Sequence, residues 1–231
     1  MFTSGAPAEV QRVLARSFTE ATGHRVLFTI GNLSAVLDKL SAGDGPDVVV
    51  FPAPAIETLD KSGKLRPGSR LDLARVGIGV AVREGAPLPD ISTVDAVRKT
   101  LLAARSIVHP DPQGGGFTGA HIARMMVRLG IADAVKPKVR LMFAIGGGVE
   151  AVAKGDAEIG LFNISEILPV AGVTLAGPLP AELQNYITFA GALHAGSALP
   201  EPAAAFLRSL SDPTARDAWK RGGFEPLGSG P

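Results

Sequence analysis

The stretch Gly45-Pro46-Asp47-Val48-Val49-Val50-Phe51 decides the fold class. It is a short apolar run that follows a Gly-Pro turn, which is typical of a strand buried on both faces of a sheet. The spacing of Ile56 and Leu59 in the next segment predicts a helix over 53–61, closed by Gly63. A buried strand that leads directly into a helix indicates a βα unit of an α/β fold.

The same alternation extends in both directions from this unit. Upstream, the spacing of Val10, Val13, Leu14, Phe18 and Ala21 predicts a helix over 7–22. Further strands are predicted over 24–30, 74–83, 106–109, 138–143, 158–163, 174–176 and 185–193, and further helices over 34–41, 118–129, 147–154, 202–210 and 214–221, with Ser92 capping one more helix. Roughly equal sets of βα units flank the long strand over 74–83, and no flexible linker separates them. We therefore expect two α/β lobes with parallel or mixed sheets flanked by helices.

The composition limits the classes of function. The 231 residues contain 23 Lys and Arg against 22 Asp and Glu, a formal charge of +1, so we expect no nucleic-acid partner. The chain has no cysteine, which excludes disulfides, thiolate metal sites and cysteine nucleophiles. Aromatic residues make up only 5%, which argues against clefts that bind bases by stacking.

Four predicted strand-to-helix loops, over 3–7, 31–34, 113–119 and 146–148, are small, hydroxylic and rich in glycine. A helix N-terminus presents free backbone N–H groups and the positive end of the helix dipole, so it favours anions. If the four loops converge, they could bind a small anion without any Lys or Arg. The alternative explanation is helix capping, which Ser4, Ser34 and Thr118 could perform without a ligand.

Other site types are disfavoured. Residues 114–119 match G-x-G-x-x-G, but Pro110 and Pro112 separate these glycines from the preceding strand, where a dinucleotide fingerprint needs a tight turn. No H-E-x-x-H pattern or acidic cluster accompanies the histidines, so we expect no metal and no cofactor.

Some polar residues receive ordinary interpretations. His24 is predicted at the surface and His121 in solvent, while His109 ends a strand beside a glycine loop and is the histidine of most interest. Asp47 and Asp111 are most simply residues that cap or turn the chain.

The order of strands and loops resembles the type II periplasmic solute-binding proteins, most of all their molybdate-binding branch. The resemblance covers essentially the whole chain. Its motifs are the opening 2–6, F-x-x-x-T-G-x-x-V at 18–26, G-N-L-S at 31–34, G-P-D-V-V-V at 45–50, D-P-Q at 111–113 with the glycines to 119, V-E-A-V-A-K-G-D-A-E-I-G at 149–160, F-L-R-S-L at 206–210 and G-G-F-E-P at 222–226.

The resemblance implies an α/β, two-lobed fold of the type II periplasmic-binding-protein kind, with two crossover strands. Lobe I would comprise 1–76 and 190–231, and lobe II 77–189, closing on a ligand by hinge motion. The implied function is capture of a small anion in the cleft between the lobes for the permease of an ABC transporter, by a monomer. The implied ligand-binding residues are Ser4, Gly5, Ala6, Asn32, Ser34, Gly115, Gly116, Thr118, Gly147 and Asn163.

The ligand and the activity are left open. The molybdate branch usually opens Ala-Ala-Ser-Leu, whereas this chain has Ser4-Gly5-Ala6, so an organic carboxylate is as compatible as molybdate. The Ser-Gly-Ala opening also resembles relatives of aconitate isomerase, a cofactor-independent enzyme on the same fold, for which His109 or Asp111 would have to transfer the proton. No signal peptide is evident at Met1, which is compatible with a trimmed or missed leader and a periplasmic protein, or with a cytoplasmic ligand sensor.

Overall fold

The computed structural model describes residues 1–31, 38–40, 42–43, 45–113, 117–142 and 148–227. Its strands are β1 (Phe2–Thr3), β2 (Thr29–Ile30), β3 (Val48–Pro52), β4 (Leu71–Val76), β5 (Ile78–Arg83), β6 (Ile107–Pro110), β7 (Val139–Met142), β8 (Ile159–Asn163), β9 (Val173–Pro178), β10 (Ile187–Leu193) and β11 (Glu225–Pro226). Its helices are α1 (Gly5–Thr22), α2 (Ala53–Lys61), α3 (Val94–Ala103), α4 (Phe117–Arg128), α5 (Ala132–Val135), α6 (Gly148–Lys154), α7 (Ile164–Ile167), α8 (Pro200–Ser209) and α9 (Arg216–Arg221).

The strands form two mixed sheets. The first has the order β11-β4-β10-β3-β1-β2, in which β1 lies parallel to β2 and β3, and β10 runs antiparallel to β3. The second has the order β7-β6-β8-β5-β9, in which β6 lies parallel to β7 and β8, and β5 runs antiparallel to β8 and β9. Helices connect the parallel strands, so the predicted α/β fold class is confirmed.

Contacts divide the chain into two compact units. Unit 1 comprises Met1–Arg75 and Ile187–Pro231, and unit 2 comprises Val76–Tyr186. Each unit has its own apolar core. In unit 1, Phe51, Ile56 and Leu59 pack under the first sheet. In unit 2, the side chains of Ile107, Ile122 and their neighbours form a larger cluster on the second sheet.

The predicted long strand over 74–83 is two strands. The chain leaves the first sheet after Val76 and enters the second at Ile78, with Gly77 between them. A Cβ on Gly77 would lie 2.9 Å from the side-chain amide of Gln184, so a larger residue here would require the Gln184 side chain to shift. The Gln184 amide accepts a hydrogen bond from Ile78 N at 2.6 Å and donates one to Ile78 O at 3.0 Å. The alternation of apolar residues predicts the extended backbone of this stretch. It does not predict that the chain passes from one sheet to the other at Gly77.

Three local predictions are corrected. The strand predicted over 24–30 is reduced to Thr29–Ile30, because the preceding residues do not pair and Leu27 is 73% exposed. Ser92 is not the cap of α3. Thr93 is the N-cap, and its hydroxyl accepts from Ala96 N at 3.1 Å. The helix predicted over 34–41 lies outside the described residues except for 38–40, which are helical.

The buried face of α1 also differs from the predicted one. The buried residues are Pro7, Ala8, Val10, Gln11, Ala15 and Phe18. Val13, predicted to face inward, is 36% exposed. The apolar spacing misplaced the face because a polar residue, Gln11, lies on the buried side. In the described part of the chain, no helix is long and apolar enough to cross a membrane.

Candidate functional site

In unit 1, the predicted site residues Ser4, Gly5 and Ala6 lie where β1 enters α1. The backbone of Ser4 is extended and held in place, since its N–H donates to Val50 O at 3.2 Å. Gly5 and Ala6 form the first turn of α1, and no acidic residue lies in that turn. The N–H groups of a first turn have no partner within the helix, so this end of α1 carries uncompensated positive charge.

Ser4 occupies the N-cap position without capping the helix. Its hydroxyl is buried, and no hydrogen bond from it to the helix forms. An N-cap side chain normally accepts from the N–H of the second or third helical residue. Here the third is Pro7, which has no N–H. The N–H of Ala6, the second helical residue, makes no hydrogen bond to the Ser4 side chain either. The capping explanation therefore fails for Ser4, whose hydroxyl has no partner among the described residues.

In unit 2, Thr118 and Asn163 lie together. Thr118 is buried, and its Oγ1 donates to Asn163 Oδ1 at 2.8 Å, a contact between residues 45 positions apart. Thr118 is the second residue of α4 rather than its cap, so the capping explanation fails here too. The pair joins the first turn of α4 to the end of β8. The first turn of α4, like that of α1, contains no acidic residue.

Gly119 allows the N-terminal turn of α4 to lie against the end of β6. A Cβ at this position would lie 2.4 Å from Pro110 O and 2.7 Å from Asp111 O. Contacts this short do not occur for real side chains, so the last glycine of the G-x-G-x-x-G match serves close helix–strand packing.

Glu166 lies next to this pair and was missed from the sequence. Its Oε2 accepts from Asn163 N at 3.1 Å at the start of α7. Burial raises the pKa of the Glu166 carboxyl above its ordinary value, although hydrogen bonds from Asn163 oppose the shift. The N-x-x-E spacing of 163–166, typical of a capping box, was the available signal.

His109, His121 and Asp111 each make a hydrogen bond to a backbone group, whereas His24 lies at the surface. His109 is 3% exposed with its Nδ1 2.8 Å from Pro110 O, and burial lowers its pKa. His121, predicted in solvent, instead lies with its Nε2 2.8 Å from Leu183 O. His24 is exposed as expected. Asp111 Oδ1 accepts from Gln113 N at 3.0 Å, which is the turn role predicted for it.

The remaining predicted site residues, Asn32, Ser34, Gly115, Gly116 and Gly147, lie outside the described residues and stay predictions. Among the residues that the structure does describe, no three His, Asp or Glu side chains are grouped as a metal site would require. The predicted donors that are described, Ser4, Thr118 and Asn163, are all uncharged.

The model of the bacterial extracellular solute-binding protein family matches residues 1–225. The chain belongs to this family. The suspected resemblance to the solute-binding proteins is thereby confirmed.

This solute-binding protein is similar to two curated proteins, one named as an enzyme and the other as a binding protein. It is 30% identical over 237 residues to an aconitate isomerase from a Pseudomonas species, which covers 100% of this chain and 88% of the relative. It is 26% identical over 221 residues to the molybdate-binding protein ModA of Rhodobacter capsulatus, covering 94% of this chain and 83% of the relative.

The fold is shared with a solved structure. The periplasmic molybdate-binding protein of Azotobacter vinelandii superposes with a TM-score of 0.76 at 23% identity, over 96% of each chain. At this identity the likeness concerns the two-lobed fold alone.

Proposed function

We propose that this solute-binding protein captures a small anion, an oxyanion such as molybdate or a small organic carboxylate, and delivers it to the permease of an ABC transporter. Membership of the solute-binding family supports the class of function. The observation that supports an anionic ligand is Ser4, whose buried hydroxyl has no partner among the described residues and lies at the positive end of the α1 dipole.

The proposed donors select an anion by shape rather than by charge. Ser4 and the first-turn N–H groups of Gly5 and Ala6 supply the donors of unit 1. In unit 2 the donors are the backbone N–H of Thr118, whose hydroxyl hydrogen is taken by Asn163, and the Asn163 amide. Because all of them are neutral, a ligand of the wrong shape would leave a buried donor unpaired, which costs about 1–3 kcal/mol per group. The Asn163 Oδ1 accepts from Thr118, and its side-chain amide also hydrogen-bonds the Glu166 carboxyl, so one N–H of the amide remains to donate to a ligand oxygen.

The partner and the location follow from the same proposal. A transporter permease would receive the ligand, the protein would act in the periplasm as a monomer, and no cofactor would be needed. Membership of the bacterial extracellular solute-binding protein family supports a location outside the cytoplasm.

A thermal-shift screen tests the proposed function. The panel contains molybdate, sulfate, cis-aconitate, trans-aconitate and citrate, each at millimolar concentration. An anion present at about 100 times its Kd stabilises the folded state by about 2.7 kcal/mol, which corresponds to roughly 5–10 °C for a chain of this size. If no member raises the Tm, the proposed classes of ligand are wrong.

A second candidate function is the isomerisation of a small unsaturated tricarboxylate. The aconitate isomerase that is 30% identical over the whole chain favours it. The reaction would remove a proton from one carbon, shift the double bond, and return a proton to the carbon at the other end. Glu166, buried next to Asn163 and with a raised pKa, is a third candidate for this proton transfer beside His109 and Asp111.

Proton NMR of trans-aconitate incubated with the protein distinguishes the two functions. Turnover that is lost in Glu166→Gln, while binding measured by thermal shift is kept, would establish the isomerase. No conversion at high protein concentration would exclude it and leave the binding function.

A further inference from the structure

Gln11 is a fully buried amide in the second turn of α1. Its exposed fraction is 0%, and neither Nε2 nor Oε1 has a hydrogen-bond partner among the described residues. Leaving a buried amide unpaired costs about 1–3 kcal/mol, so an apolar residue of the same size would be more stable here. Packing alone therefore does not explain a glutamine at this position.

Helix geometry places Gln11 behind Ser4. Residues 4, 8 and 11 lie on one stripe of α1, because positions i, i+4 and i+7 share a helix face. The residue between them is Ala8, 5% exposed, whose methyl group fills little of the space. Long side chains on a helix lean toward its N-terminus, so the Gln11 amide reaches to within roughly one helical turn of Ser4, a separation of about 5 Å.

The amide of Gln11 and the hydroxyl of Ser4, both buried and without a partner in the described part of the chain, thus share one helix face about one turn apart. Buried polar groups that cannot meet directly are commonly joined by an internal water with two to four partners. A serine hydroxyl has one hydrogen to donate and two lone pairs to fill. If a donor from the protein interior occupies one lone pair of the Ser4 hydroxyl, the hydroxyl hydrogen must point away from that donor.

We propose that Gln11 is a positioning residue for the anion site: through one buried water its amide donates to the lone pair of Ser4 Oγ and orients the Ser4 hydrogen toward the ligand. This inference rests on the proposed function for its effect on binding. The link between Gln11 and Ser4 does not need a ligand and can be measured without one.

A double-mutant cycle tests the effect on binding. Gln11→Met keeps the size of the side chain and removes both polar atoms. Calorimetric titrations with molybdate and with cis-aconitate would use the unmodified protein, Gln11→Met, Ser4→Ala and the double variant. We expect Gln11→Met to weaken binding about 5- to 20-fold on the Ser4 background and less than about twofold on the Ser4→Ala background. Equal losses on both backgrounds would overturn the proposal.

Stability separates a positioning role from a structural one. Because Gln11→Met keeps the size of the side chain and removes an amide that makes no direct hydrogen bond to a described residue, its Tm should stay close to that of the unmodified protein. A lower Tm together with the same fractional loss on both backgrounds would identify Gln11 as a packing residue and contradict the proposal.

Ligand-free NMR tests the link itself. The side-chain N–H₂ resonance of Gln11, assigned by its loss in Gln11→Met, should show exchange cross-peaks with water and should shift in Ser4→Ala. Ser17→Ala, an exposed serine of the same helix, is the control and should leave it unmoved. If the chemical shift of the Gln11 side-chain N–H₂ is the same in Ser4→Ala as in the unmodified protein, the proposed link is overturned, even if both anions bind. If neither anion binds while the resonance responds, the proposed ligand classes fail and the link stands.

Discussion

At the scale of a single residue, the burial of His109 makes the stability of the folded protein depend on pH. It is 3% exposed in β6, and its pKa is lowered mainly by burial, against the opposing effects of Pro110 O and Asp111. The neutral ring is therefore favoured in the folded state, while in the unfolded chain the ring protonates near pH 6.5. The unfolded state then binds more protons below that pH, so stability falls as the pH drops through 6.5 toward the lowered folded pKa.

We expect this fall to be smaller in His109→Gln. Urea unfolding at several pH values between 7.5 and 5 measures it as the slope of the free energy of unfolding against pH. His24→Gln, at an exposed histidine, is the control and should keep the slope of the unmodified protein. An unchanged slope in His109→Gln would mean that His109 protonates equally in both states.

At the scale of single residues, the loops and motifs of the sequence point to Ser4, Thr118 and Asn163, and these three stay predicted site residues. What the structure adds is their environment. Capping was the competing explanation, and only the structure excludes it, through Pro7 and the Thr118–Asn163 bond. The burial of Gln11 could not be predicted from the sequence, since a polar residue in an amphipathic helix is normally assigned to the solvent face.

At the scale of elements, Gly119 determines how α4 meets β6. Glycine to alanine in an ordinary helix stabilises by up to about 1 kcal/mol. We expect the opposite sign for Gly119→Ala, a loss of about 2–4 kcal/mol, because the new methyl group would collide with Pro110 O and Asp111 O. The displaced first turn of α4 would also move Thr118 away from Asn163 and weaken anion binding.

Urea unfolding and calorimetric titration measure the two effects of Gly119→Ala. Val127→Ala, at a 68% exposed position of the same helix, is the control and should change stability by less than about 0.5 kcal/mol. A Gly119→Ala protein as stable as the unmodified one would show that α4 can move away from β6 without cost.

Element types are well predicted here, whereas element ends are not. Strong periodicity identified α1, α2 and the buried strands, since burial of one face imposes it. The break at Gly77 and the shortening of β2 depend on contacts with distant residues such as Gln184, which no local pattern encodes.

At the scale of the whole molecule, one unit is built from a single segment of the chain and the other from two segments. Unit 2 is one segment, 76–186, with a complete sheet and its own core. Unit 1 needs both ends of the chain, because β10 and β11 from its second segment lie in the sheet with β3 and β4. We therefore expect the isolated segment 76–186 to fold cooperatively and the isolated segment 1–75 to remain unfolded.

Circular dichroism and urea unfolding of the two separately produced segments measure this difference. A sigmoidal transition is expected for 76–186, and a featureless one for 1–75. Cooperative folding of 1–75 alone, or its absence in 76–186, would contradict this division of the chain.

Calorimetric titration of Ser4→Ala against Ser17→Ala measures the anion site most directly, with molybdate and cis-aconitate as the two probes. Both serines belong to the α1 region, but Ser17 is exposed, whereas the Ser4 hydroxyl is buried and makes no hydrogen bond within the described part of the chain. A lost hydrogen bond to a charged ligand is worth about 1.5–3 kcal/mol, so Ser4→Ala should weaken binding of the cognate anion roughly 10- to 150-fold. Ser17→Ala should bind as the unmodified protein does. Equal affinities in all three proteins would contradict an anion site at the start of α1.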